Sequence, residues 1–163
     1  MASIIGVETL QHTNGTTAAT ITSGGKLYSA GHVIQVVSNF ITTDFNTAST
    51  SFVSTGLATT ITPSSTSSKI LATVSMGGWY IASGGSASAT VYRGSTNIGN
   101  GNAGIMGIET PALRIPSTGQ VLDSPNTTSA TTYTVYALTS GHTTYISYPS
   151  YGHFTLTLME IAG

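Results

Sequence analysis

The chain has 163 residues, of which 6% are charged, with a net charge of -1 and no cysteine. That length suits one domain with a sizeable core, but the charged fraction is far below the roughly 25% of ordinary globular domains. The balance excludes a basic footprint for nucleic acid or an anionic membrane, and the missing cysteines exclude disulfides, thiolate metal sites and cysteine nucleophiles.

Ser and Thr fill the vacant places and make up about a third of the chain. Thr suits a pleated, half-buried surface and Ser suits turns, whereas strong helix formers are scarce. Residues 4–10 alternate, with Ile5, Val7 and Thr9 on one face. His12-Thr13-Asn14-Gly15 reads as a turn, since Asn-Gly readily takes positive φ. Ala18–Thr22 makes a second short strand, broken by Gly24-Gly25. Such a hairpin has too few large apolar groups to stand alone and must dock on something. Val33–Val37 is strongly β-forming and runs on to Phe40 and Ile41. Ser51–Val53 and Leu57–Ile61 read as short strands parted by Thr55-Gly56, and Pro63–Ser68 as a loop.

In the clearest strand, Ile70, Ala72, Val74 and Met76 point one way and Leu71, Thr73 and Ser75 the other. Trp79–Ile81 follows Gly77-Gly78, and Ala87–Arg93 is a further strand. Residues 94–120 are rich in Gly, Asn and Pro and promise little regular structure. Val121–Asp123 is a short strand. Thr132–Leu138 sets Tyr133, Val135 and Ala137 against Thr134, Tyr136 and Leu138, so both of its faces are covered. Thr143–Ser147 and His153–Ile161 complete the chain, the last with Phe154, Leu156 and Leu158 on one face.

Strands every 8–12 residues with turns between them indicate an all-β fold, a single jelly-roll-like β-sandwich over residues 32–163 with an N-terminal hairpin or arm over 1–31. No segment has the ~20 apolar residues of a spanning helix. The start of the chain does not read as a signal peptide, because Glu8 interrupts its apolar run, which suggests folding in a cytoplasm.

The chemistry of catalysis is hard to find. Gly99-Asn-Gly101-Asn-Ala-Gly104 fits G-x-G-x-x-G formally, but no helix pattern opens there to present amides to a pyrophosphate, so a glycine-rich turn is the better reading. His12, His32, His142 and His153 show no ligand spacing. Paired carboxylates for glycoside hydrolysis would need two of Glu8, Asp44, Glu109, Asp123 and Glu160 to share a cleft, which their placement in strands and loops does not favour. No cofactor, no metal and no enzyme activity are expected. The most suggestive cluster is Tyr145, Tyr148 and Tyr151 with His142, His153 and Pro149. Rings with polar tips serve equally for packing at a subunit interface and for stacking on sugars.

The run Ser49–Val74 (STSFVSTGLATTITPSSTSSKILATV), together with VYRGSTNIG at 91–99, LDSPNTTSATTYTVYAL at 122–138 and the ending FTLTLMEIAG, resembles a module of marine-phage and cyanophage virion proteins. The opening MASIIGVETLQHTNGT is similar to the start of many phage fibre-like proteins. The resemblance covers most of the chain in order. It implies a homotrimeric β-sandwich on the virion surface, either as capsid decoration (cement) or at the tip of a tail fibre or spike. Its partners would then be other copies of itself and the major capsid protein or tail proteins, with host surface glycans as a further class. Ile4, Ile5, Val7 and Leu10 are the candidate anchor, acting by strand addition.

Overall fold

A computed structural model describes residues 7–21, 25, 27–81, 84–109, 115–147 and 152–163, all of them in strands, turns or loops. Near the N-terminus, β1 (Thr9–Gln11), β2 (Thr17–Ile21) and β3 (Leu27–Tyr28) form an antiparallel sheet in chain order. The Asn14-Gly15 turn forms as expected. Gly15 takes φ 84°, and its N–H donates to the His12 carbonyl at 2.8 Å. The third strand turns the expected hairpin into a small sheet; two residues are too few to show an alternating pattern in the sequence.

The remaining strands are β4 (Val33–Ile41), β5 (Phe45–Thr47), β6 (Val53–Ile61), β7 (Lys69–Ile81), β8 (Ala87–Arg93), β9 (Thr96–Asn97), β10 (Met106–Ile108), β11 (Ile115–Asp123), β12 (Thr131–Thr139), β13 (Thr144–Ser147) and β14 (Phe154–Ile161). One sheet runs β4-β14-β7-β11, and the facing sheet runs β6-β12-β8-β10, all antiparallel. Among these eight strands the chain changes sheet at every step except β8 to β10. That is the order of a jelly roll. Strand β13 pairs with the last residues of β7, beyond the start of β14, β5 pairs with β13, and β9 pairs with β8.

Alternation drives the burial. Phe154, Leu156 and Leu158 of β14, Ile70, Ala72, Val74 and Met76 of β7, and Tyr133, Val135 and Ala137 of β12 all face inward and are buried, as their spacing predicts. Trp79 and Ile81 belong to the same core although they sit at odd positions of β7. The shift occurs at Gly77-Gly78, where β11 pairs Ile115 with Trp79 but Ser117 with Met76. This bulge places one extra residue on β7 and turns Trp79 inward, so the glycine pair bends the strand and does not end it.

Gly56 works in the same way. It takes φ 81°, and the register against β12 slips between Ala58 and Ser54. The two short strands expected around Thr55-Gly56 are therefore one continuous strand, because glycine accepts the bulge conformation without steric cost. The 94–120 segment is more regular than its composition suggests: β11 extends nine residues from Ile115, held by the ladder to β7. One long side of the sandwich is closed by side chains of β4. The Asn39 amide donates to the Ala58 carbonyl at 2.9 Å, and the Gln35 amide to the Thr62 carbonyl at 2.8 Å.

Candidate functional site

The inward carboxylates are occupied by structural contacts. Asp123 and Glu160 both pair in register with Ile70, one on each side of β7. They therefore lie in one row, two strand spacings or roughly 10 Å apart, with the fully buried Ile70 between them. Both Asp123 carboxylate oxygens accept from Arg93 Nη1 at 2.8 Å, and the Tyr133 hydroxyl also donates to Asp123 Oδ2 at 2.7 Å. This clasp ties the end of β11 to β8 and β12 across the sandwich. Burial, the hydrogen bond to Asp123 and the Asp123 charge together push the Tyr133 hydroxyl pKa well above the ordinary tyrosine range.

Glu160 is wholly buried, and its Oε1 accepts from the Ser64 N–H at 2.7 Å and the Ser64 hydroxyl at 2.6 Å, while Oε2 accepts from the Gln35 amide. Burial is the largest single influence and would raise its pKa. The hydrogen bonds from Ser64 and Gln35 outweigh it together and hold the carboxyl below the usual glutamate value. Glu8, Asp44 and Glu109 are exposed and lie on separate parts of the chain. Among the described residues, no three of His, Asp and Glu gather as metal ligands would.

The proposed aromatic cluster is only partly described. Tyr148, Pro149 and Tyr151 lie outside the described residues, and the other members have separate neighbours. Tyr145 is half-buried on β13 beside Tyr80, with ring centres 6.1 Å apart. His153 is exposed just before β14, edge-on to Phe40 at 5.1 Å. His142 lies in the turn after β12 and packs over Gly85, where a Cβ would come within 3.0 Å of its Nδ1. In the candidate anchor, Ile4 and Ile5 lie outside the described residues, and Val7 is half-buried. Leu10 is 48% exposed on β1.

Three surfaces were missed or only half seen in the sequence. The first is the N-terminal sheet, where Leu10 pairs with Ala19 and Ile21 pairs with Leu27, so these four share one face. Leu27 is 46% exposed there. The sheet is tied at its base: the Gly31 N–H donates to Ala162 O and the Ala162 N–H to His32 O, both at 2.8 Å, and the Tyr28 hydroxyl donates to Gly163 O. The second is a row across the outer face of the first sheet. Val36, Met159, Leu71 and Leu122 are successive register partners on β4, β14, β7 and β11, and Val36 and Leu122 are 54% and 52% exposed. The third is the outer face of the opposite sheet, where Tyr92 stacks on Tyr136 at 4.1 Å and meets Phe52 edge-on at 6.4 Å. The available signal for it was the second apolar face of β12, with Tyr136 and Leu138.

No protein-family model matches the chain, and no curated protein matches it. Among solved structures, the structure of infectious bursal disease virus, Gt strain, aligns with 83% of this chain at 13% identity and a TM-score of 0.41. The chain spans 39% of the length of that protein, and a likeness at this level passes no function to it.

Proposed function

We propose that the chain is a structural protein of a bacteriophage virion: a homotrimeric capsid decoration (cement) protein that seats on the outer shell, binds the major capsid protein, and has no enzymatic activity. The observation that carries this reading is the N-terminal sheet. Three short strands that leave Leu10 and Leu27 about half exposed and Ile21 37% exposed bury too little to be stable on their own account. A partner that covers this face and extends its edge by strand addition would complete it. The jelly-roll order supports the reading by analogy, since that architecture serves capsid and lectin domains. The engagement of Asp123 and Glu160 in structural contacts supports a non-catalytic role. The outward Tyr145 and Tyr80 favour one alternative, the receptor-binding tip of a tail fibre or tailspike contacting host glycans.

Quantitative mass spectrometry of purified particles separates the two readings. Hundreds of copies per virion are expected for decoration, and a small multiple of three would point to a tail appendage and overturn it. Deleting residues 1–25 should release the protein from particles and leave a folded trimer. A truncated chain that still decorates the shell removes the anchor.

A further inference from the structure

The glycine-rich segment 99–104, which has no role in the proposed assembly, forms one wall of a groove on the outer face of the β6-β12-β8-β10 sheet. Its shape is fixed by backbone chemistry. Asn100 Oδ1 accepts from the Asn102 and Ala103 N–H groups at 3.0 and 3.3 Å, the Gly104 N–H donates to Asn100 O at 2.8 Å, and the Ile105 N–H donates to Ala89 O at 2.8 Å. A Cβ at Gly104 would lie 2.2 Å from the Ala89 carbonyl oxygen, and one at Gly99 would lie 2.4 Å from Thr90 Oγ1. Only glycine lets this loop rest directly on β8. The opposite wall is Thr50-Ser51-Phe52, just before β6, and Tyr92 and Leu138 complete the lining.

The space measures about 530 Å³, within the range of roughly 300–1,000 Å³ common for small-ligand sites. The lining carries no charge. It offers two half-buried rings, Phe52 and Tyr92, the latter backed by Tyr136. Among the described residues the Asn102 side-chain amide, the Ser51 and Thr50 hydroxyls and the Tyr92 hydroxyl form no hydrogen bonds, so they remain available at the rim. Apolar rings beside free amide and hydroxyl groups match the C–H faces and hydroxyl edges of a pyranose. The missing cation leaves nothing to neutralise a carboxylate, sulfate or phosphate.

We infer that this groove is a binding site for a neutral saccharide, stacked on Phe52 and Tyr92 and hydrogen-bonded by Asn102 and Ser51. The inference is independent of where on a particle the protein sits.

The test is an array of neutral and acidic oligosaccharides probed with the full chain, followed by calorimetric titration of the best ligand. Phe52→Ala and Asn102→Ala should each weaken binding by about tenfold, and Tyr145→Ala on the other sheet should leave it unchanged. The exposed Asn102 can be replaced without unfolding the chain, and the thermal midpoint of each variant, read from the Trp79 emission, checks the fold. The inference is overturned if no neutral glycan binds, if only acidic glycans bind, or if both groove variants bind as well as the parent.

Discussion

Replacing Asp123 with alanine tests the account of how the two sheets are held in register. The Tyr133 side chain is fully buried, so its hydroxyl cannot turn to water once its acceptor is gone. An orphaned buried hydroxyl costs about 1–3 kcal/mol. The Arg93 and Asp123 side chains are 30% and 10% exposed, so solvent screens part of their attraction. That pair contributes no more than about 1 kcal/mol, near the upper end for accessible ion pairs. With the middle of the range for the hydroxyl, the sum is a loss of about 3 kcal/mol. For a chain of this size, at roughly 2–4 °C per kcal/mol, the melting midpoint should fall by about 6–12 °C. Trp79 is the sole tryptophan and is buried, so its emission follows unfolding directly. Asp123→Asn keeps an acceptor for Tyr133 and loses only the charge, so it should cost about 1 kcal/mol. Equal losses in the two variants would refute the reasoning, because they would mean that the tyrosine bond contributes nothing. A loss under 1 kcal/mol in Asp123→Ala would refute the clasp altogether.

Glu160 has its pKa lowered by folding, so its contribution is present above the unfolded value of 4.5 and is lost as pH falls through the folded value; Glu160→Gln should flatten the acid limb of a stability profile measured by urea titration. Tyr133 is shifted the other way, so the stability it confers is full below pH 10.0 and is lost as pH rises; Tyr133→Phe should reduce the alkaline loss in the same titrations. Gly104→Ala combines φ 68° with a backbone clash and should cost about 1 kcal/mol or more, with the loop amide signals displaced in a heteronuclear NMR spectrum. The double variant Leu10→Ser, Leu27→Ser changes side chains that are about half exposed in the free chain, so stability should fall by no more than about 1–2 kcal/mol, while co-sedimentation with particles should drop.

The long strands were legible because their two faces differ. In β7 and β14 every second residue from Ile70 to Met76 and from Phe154 to Leu158 is apolar, and the structure buries those residues. Legibility failed where glycine shifts the phase. Thr55-Gly56 reads as a break, and the change of phase after Gly77-Gly78 goes unseen, because local pattern cannot distinguish a bulge from a turn; only the partner strand, β12 or β11, defines the extra residues. Strand β11 was half hidden because Ile115–Gln120 gains its order from pairing with β7 and not from its own propensity. The same limit applies to the surfaces. The row Val36, Met159, Leu71 and Leu122 unites residues from four strands, and register alone brings them together. Tyr145 and His153 were named from their closeness in sequence, and the ring partner each has, Tyr80 or Phe40, lies on a strand remote in sequence that only the fold brings near.

The scarcity of charge acquires a sharper meaning once the carboxylates are placed. Of the five acidic residues, Asp123 and Glu160 face inward and serve the ends of β11 and β14, which leaves Glu8, Asp44 and Glu109 on the exposed surface. A monomer that must stay apart from its neighbours carries far more surface charge, roughly a quarter to a third of its surface residues. Here electrostatic repulsion between copies is weak, and the outer faces carry apolar rows and hydroxyls in its place. Such a surface lets copies approach closely with little desolvation of charge. Contacts on it draw their free energy from apolar burial, which salt does not screen. A composition of this kind is what the proposed assembly on a shell would require of its component.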